Sequence, residues 1–131
     1  MSIVVPVRCD CALDEALEQG IARARETGGT LICVLHRPAP RTQDEIDDEV
    51  DSLSARLDNE DIAFRIETVL KAKDVAGTLC EIAQVNDAEL IVVALASKAQ
   101  FGRLTLGTQV QRIILGAPCP VLVVHDSPNA A

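Results

Sequence analysis

Tryptophan and tyrosine are absent from this sequence, and its only aromatic side chains are Phe64 and Phe101. A protein that reads single-stranded nucleic acid by stacking bases on aromatic rings needs more platforms than two. Basic clusters are missing as well: 20 acidic residues stand against 12 lysines and arginines, giving a formal net charge of -8 with no Lys/Arg-rich run. Such a chain repels a phosphate backbone, so nucleic acid is not an expected partner. Nowhere do about 18 apolar residues follow one another, and the opening MSIVVPVRCD has no charged segment leading into an apolar one. The expectation is a cytoplasmic protein with no membrane partner. Five cysteines, an odd number scattered over different elements, build no secreted disulfide framework and point to free thiols in a reducing compartment.

What the sequence does hold is aliphatic. Hydrophobic residues make up 48% of its 131 positions, enough for one compact domain with a core of Val, Ile, Leu and Ala. The acidity concentrates in Asp44 to Asp51 (DEIDDEVD), which reads as the solvated side of a helix that favours solubility.

In chain order, Ile3 to Val7 (IVVPV) reads as a buried strand, β1, with Pro6 near its end. From Ala12 to Glu26, Leu13, Ala16, Leu17, Ile21 and Ala24 recur at helical spacing, and Gly28-Gly29 supplies the stop. Thr30 to Leu35 (TLICVL) is β2. Beyond the prolines of His36 to Arg41, Ile46, Val50, Leu53 and Leu57 form the seam of a second helix. Ile62 to Val69 alternates as a half-exposed edge strand, β3, and Asp74 caps a third helix running to Gln84 on the buried residues Val75, Leu79, Ile82 and Ala83. β4 begins at Leu90 and runs through Ile91-Val92-Val93, a β-branched run typical of a strand buried on both faces. Thr108 is placed to N-cap a short fourth helix on Val110, Ile113 and Ile114; Gly116 ends it, and Pro120 to Val124 is β5. Residues 1–125 read as a single domain and 126–131 as a flexible tail.

Strict strand–helix alternation predicts parallel strands joined by right-handed crossovers, hence a doubly wound three-layer α/β domain of five strands and four helices. In such sheets ligands bind beyond the carboxyl ends of the strands where the strand order reverses. With β1 central, the loops after β1 and β4 meet there, joining Arg8 to Gly107-Thr108. A helix N-terminus at that point offers free N–H groups and a positive dipole end to an anion. The alternative role for Gly107-Thr108 is a turn and a cap.

No catalytic constellation is legible. Gly102-x4-Gly107-Thr108 has the spacing of a P-loop without its lysine, and there is no Gly-x-Ser-x-Gly, His-Glu-x-x-His or Gly-x-Gly-x-x-Gly. Cys9-Asp10-Cys11 is one residue short of Cys-x-x-Cys and has no companion pair, and His36 and His125 are single, so no metal site is expected. Cys33, Cys80 and Cys119 fit as buried inert thiols; Cys9, beside Arg8, is the thiol best placed for a lowered pKa.

With its Val5-Pro6-Val7 strand end, five βα units, Gly107-Thr108 and the closing Gly116-Ala-Pro-Cys-Pro-Val-Leu-Val-Val124, the chain resembles the universal stress protein family over nearly its whole length. That resemblance implies a Rossmann-like sheet of strand order 3-2-1-4-5 and a role in stress response. The family's nucleotide-binding members carry Gly-x-x-Gly, nine residues, then Gly-Ser/Thr. Here Gly107-Thr108 matches the final pair, but Ala94-Leu-Ala-Ser97 stands where both earlier glycines belong. A Cβ at either position narrows a backbone approach to phosphate. Arg8 replaces the family's aspartate after β1, and His36 its aliphatic residue at the end of β2. Arg8 fits either a bidentate phosphate contact or a pair with Asp10.

The resemblance therefore implies candidate nucleotide- or anion-binding residues Pro6, Val7, Arg8, His36, Ala94, Ser97, Lys98, Gly107, Thr108 and Gln109. The ligand would be ATP with Mg or another small anion. It further implies a homodimer paired through the last strand, Pro120 to Val124, with protein partners that the sequence does not name. The expected function is a non-catalytic regulatory or interaction domain with an altered nucleotide site. The alternative is an ATP-binding member with at most weak ATPase activity.

Overall fold

The computed structural model describes residues 2–7, 15–36, 42–69, 74–95 and 108–125, with the backbone alone described for His36, Leu95, Thr108, Gln109 and His125. Five strands and four helices alternate: β1 (Ser2–Pro6), α1 (Glu15–Thr27), β2 (Thr30–His36), α2 (Gln43–Asp58), β3 (Ala63–Val69), α3 (Val75–Val85), β4 (Ala88–Leu95), α4 (Thr108–Gly116) and β5 (Val121–His125). All strand pairs are parallel, and the sheet order is β3-β2-β1-β4-β5, as expected.

The apolar spacing in each helix decides which face of the sheet it covers. Ala16, Leu17, Ile21 and Ala24 of α1 join Leu53 and Leu57 of α2 against Ile3, Val5, Leu31, Cys33 and Val92. Ala76, Leu79 and Ala83 of α3 and Ile113 of α4 cover Val4, Ile32, Val34, Ile91 and Val93 from the other side. Successive strand residues point to opposite faces, so the continuous runs Ile3-Val4-Val5 and Ile91-Val92-Val93 are buried on both, each residue at 2% exposure or less. Two helices per face give the three-layer sandwich.

Small residues set the spacing between layers. Gly20 faces the sheet so closely that a Cβ there would lie 2.6 Å from Val5 Cγ2 and 3.0 Å from Leu31 Cδ1. Gly28 ends α1 in the left-handed region at φ 72°, its N–H donating to the Ala24 carbonyl. Thr42 caps α2 by accepting from Glu45 N–H, and the acidic run falls on the solvated side of that helix, where Asp44, Glu45, Asp47, Asp48 and Asp51 are exposed.

Several boundaries shift. β4 begins at Ala88, two residues before the sequence pattern suggests, because the β1 pairing steps from Ser2–Ala88 to Ile3–Leu90 and leaves Glu89 as an extra residue. Thr108 is the first helical residue of α4 instead of a flanking cap, and β5 starts at Val121. Ile114, expected on the inner face of α4, is 42% exposed; Ile113 alone is fully buried there. β3 alternates as an edge strand should, with Phe64 and Ile66 half-buried against the α1/α2 layer and Ala63 and Arg65 exposed.

Candidate functional site

The strand order reverses between β1 and β4. From β1 the chain winds outward through β2 to β3 under α1 and α2, then crosses to β4 and winds the other way to β5 under α3 and α4. The carboxyl ends of β1 and β4 therefore flank the crevice in which open α/β sheets bind ligands. Pro6, half-buried, pairs with Val34 and closes β1; Val7 follows, buried, its N–H donating to the Val34 carbonyl at 2.9 Å, so the backbone stays ordered to the crevice. His36 ends β2 beside Val69.

Ala94 stands next to last in β4, paired with Val124. Its side chain packs against the α1/α2 layer of the core, and the described non-glycine residues with positive φ are Asp61 and Asp87. The alanine that replaces the first family glycine thus sits in regular strand with its Cβ absorbed by core packing, and the strand needs no glycine there. Thr108 and Gln109 open α4. The expected site residues Arg8, Ser97, Lys98 and Gly107, with Cys9, Cys11 and the tail 126–131, lie outside the described residues.

Helix N-termini crowd this end of the sheet, and their charges differ. α1 carries Glu15 and Glu18 in its first turn and α2 carries Asp44 and Glu45. α3 is capped by Asp74, whose Oδ1 accepts from Gly77 N–H at 3.2 Å. These carboxylates offset the positive ends of their helix dipoles. The first turns of α3 and α4 hold no acidic residue; α3 has the Asp74 cap in compensation, whereas the described residues of α4, the helix at the switch point, carry no acid at all.

A contact that sequence spacing does not show joins this region. Arg112 Nη2 donates to Asp74 Oδ2 at 2.7 Å, tying the side of α4 to the cap of α3, with both side chains about half exposed (51% and 45%). The two residues are 38 positions apart, and only the parallel packing of α3 on α4 brings them together. The one hint in the sequence is an arginine among the otherwise uncharged residues of α4.

Behind the same helix pair lie two thiols. Cys80 is half-buried, with its Sγ 3.9 Å from the Ile113 carbonyl; burial, then the Asp74 charge, pushes its pKa up. Cys119 is half-buried too, its thiol pushed up by burial and then by Cys80. Cys33 is fully buried in β2. The expectation of buried thiols therefore holds for Cys33 and is corrected for the other two, which are partly exposed because they sit where the α3–α4 contact meets solvent. Among the described residues, no group of three or more His, Cys, Asp or Glu side chains is placed to hold a metal ion. No described helix is long and apolar enough to cross a membrane.

Comparison with known proteins agrees with this architecture. A universal stress protein of Mycolicibacterium smegmatis is 30% identical over 128 residues, covering 93% of this chain and 95% of that one. The universal stress protein from Archaeoglobus fulgidus in complex with dAMP superimposes with a TM-score of 0.70 at 25% identity, over 95% of this chain and 97% of that one. A universal stress protein in complex with cAMP gives a TM-score of 0.74 at 22% identity, over 96% and 97%. Residues 1–125 match the universal stress protein family, and the chain belongs to that family.

Proposed function

We propose that this chain is a nucleotide-responsive regulatory domain of the stress response, non-catalytic and homodimeric, whose altered site takes a small adenine nucleotide at the β1/β4 switch point. The observation that carries the reading is the start of α4: a helix whose first turn is free of acid, opening beside the carboxyl ends of β1 and β4. The dAMP and cAMP held by two proteins of the same fold support a nucleotide with a phosphate group as the ligand class. Ala94 does not oppose it, since its Cβ is spent on core packing. Thr108 and Gln109 would supply backbone N–H groups to the phosphate, with Gly107 before them in the sequence and Arg8 two residues beyond the last residue of β1. ATP with Mg is a larger ligand of the same class.

Dimerisation through β5 belongs to the same reading. The edge strand β3 carries Arg65 and Glu67, charges that discourage pairing with another sheet, whereas Val121 to Val124 hold none and are only half-buried. On α4, Arg112 and Gly116 face α3, so at about 100° per residue Ile114 turns to the opposite flank, beside the β5 edge, while Leu115 turns away from the sheet. Ile114 is 42% exposed there. A two-fold partner would cover edge and flank together.

Calorimetric titration with dAMP, cAMP and ATP with Mg, alongside mass spectrometry of small molecules released from the purified protein, tests the ligand. The expected result is micromolar binding of at least one nucleotide that Thr108→Pro or Gly107→Val abolishes, with no ATP turnover above background. No heat and no released nucleotide would overturn it in favour of an interaction module without a nucleotide.

A further inference from the structure

We propose that Arg112 selects the charge of the ligand at the switch point: its guanidinium is stored on Asp74 and moves to a phosphate bound at the start of α4. This rests on the nucleotide reading above. Side chains on a helix lean toward its N-terminus, so a long residue at position 112 covers the turn that begins at Thr108. The position of its partner confirms the level it reaches. Asp74 is the cap of α3, and α3, like α4, starts at the carboxyl end of the sheet; a guanidinium 2.7 Å from Asp74 Oδ2 therefore stands at the end where ligands enter.

The other described cations are differently placed. Arg25 pairs with Glu60 and Arg56 with Glu18 in the α1/α2 layer, where Arg23 also lies beside Glu26, and Arg65 bonds Glu67 and Asn86 on the β3 edge. Among the described residues, Arg112 is the cation on the α4 side of the crevice.

Its present bond is weak enough to exchange. Both partners are about half exposed, and a solvated pair of this kind contributes little to stability. The monoester phosphate of dAMP at the α4 N-terminus would carry more charge than one carboxylate and offer the planar guanidinium two oxygens at once. Asp74 is not left unsatisfied when Arg112 departs, because its Oδ1 keeps the Gly77 N–H and its Oδ2 is open to water. Asp74 thus acts as a competitor. While it holds Arg112 it lowers affinity for every anion, and a neutral ligand gains nothing from displacing it.

The test compares dAMP with 2′-deoxyadenosine, which differ by the phosphate alone, by calorimetry on the full chain. Arg112→Gln is expected to weaken dAMP roughly tenfold and leave deoxyadenosine within about twofold, with Arg112→Lys recovering part of the loss. Asp74→Asn keeps a capping oxygen and removes the competing charge, so dAMP should bind roughly threefold tighter with deoxyadenosine unchanged. If wild type binds dAMP and Arg112→Gln shows the same dAMP-to-deoxyadenosine ratio, the role of Arg112 is overturned and the site stands. If Arg112→Gln weakens both ligands alike, its role is structural and the proposal also falls. If wild type binds neither ligand, the nucleotide reading itself fails and takes this inference with it.

Discussion

Asp74 uses its two carboxylate oxygens for two different helices: Oδ1 accepts from Gly77 N–H at the start of α3, and Oδ2 accepts from Arg112 on α4. Substitution separates the two functions. Asp74→Ala removes both and should cost about 1–2 kcal/mol, mostly the lost cap. Asp74→Asn retains a capping oxygen and loses only the exposed ion pair, for which about 0–1 kcal/mol is expected. Urea denaturation of both variants checks the order; equal losses would mean that the bridge to Arg112, and not the cap, holds α3 in place. Gly77 belongs to the same unit, since a Cβ there would lie 2.7 Å from Asp74 Oδ2.

Gly20→Ala should destabilise the fold although alanine is the better helix former. The propensity gain is about 1 kcal/mol. Against it stands a Cβ placed 2.6 Å from Val5 Cγ2 and 3.0 Å from Leu31 Cδ1, two fully buried side chains, where overpacking costs about 1–3 kcal/mol. A net loss of about 1 kcal/mol, rising further for Gly20→Val, is expected in thermal or urea unfolding. A stabilised Gly20→Ala would show that α1 can move off the sheet without loss.

Gly20 also marks the limit of what the sequence reveals. The strands were legible because runs such as Ile91-Val92-Val93 can only be buried on both faces, and that pattern carries the sheet, the alternation and the switch point with it. A glycine inside a helical pattern reads merely as a weak helix former; that it is the point of closest approach to Val5 follows from the packing of layers. The start of β4 was misplaced because Ala88-Glu89 has no apolar signature and the extra residue in the ladder is set by the β1 register. Ile113 and Ile114 look alike in sequence, yet a nine-residue helix lying on a sheet edge buries one and turns the other outward. The Asp74–Arg112 contact depends on which helices become neighbours, which no local spacing encodes.

The thiols of Cys80 and Cys119 predict an alkaline loss of stability. Burial is the larger cause of each raised pKa, followed by Asp74 for Cys80 and by Cys80 for Cys119. A folded-state pKa above the unfolded one means that the native chain holds more protons than the unfolded chain once pH passes the ordinary thiol range. The stabilisation is complete below that range and is lost as pH rises through the raised values. Cys80→Ala should flatten this decline in urea unfolding measured across alkaline pH. Alkylation followed by mass spectrometry should show Cys80 reacting more slowly than a free thiol, and faster in Asp74→Asn, where one of the two causes is gone. An alkylation rate at Cys80 equal to that of a free thiol would contradict the effect of burial.

Ile114 tests the dimer with little disturbance of the monomer. Its side chain is 42% exposed, so Ile114→Glu removes only part of a contact, and the unfolding free energy of an isolated chain should change by about 1 kcal/mol or less. In a dimer paired along β5, the same side chain lies on the flank that the partner covers, and the substitution places a carboxylate in a desolvated apolar contact, where burying an unpaired charge is strongly unfavourable. With two-fold symmetry each substitution counts twice, because the same surface is presented by both copies. Sedimentation equilibrium at micromolar concentration should therefore show wild type as a dimer and Ile114→Glu shifted to monomer, while Val85→Glu, an exposed apolar site at the end of α3, leaves the dimer intact. A wild-type monomer under these conditions would rule out pairing through β5. A dimer that survives Ile114→Glu would place the interface elsewhere on the molecule.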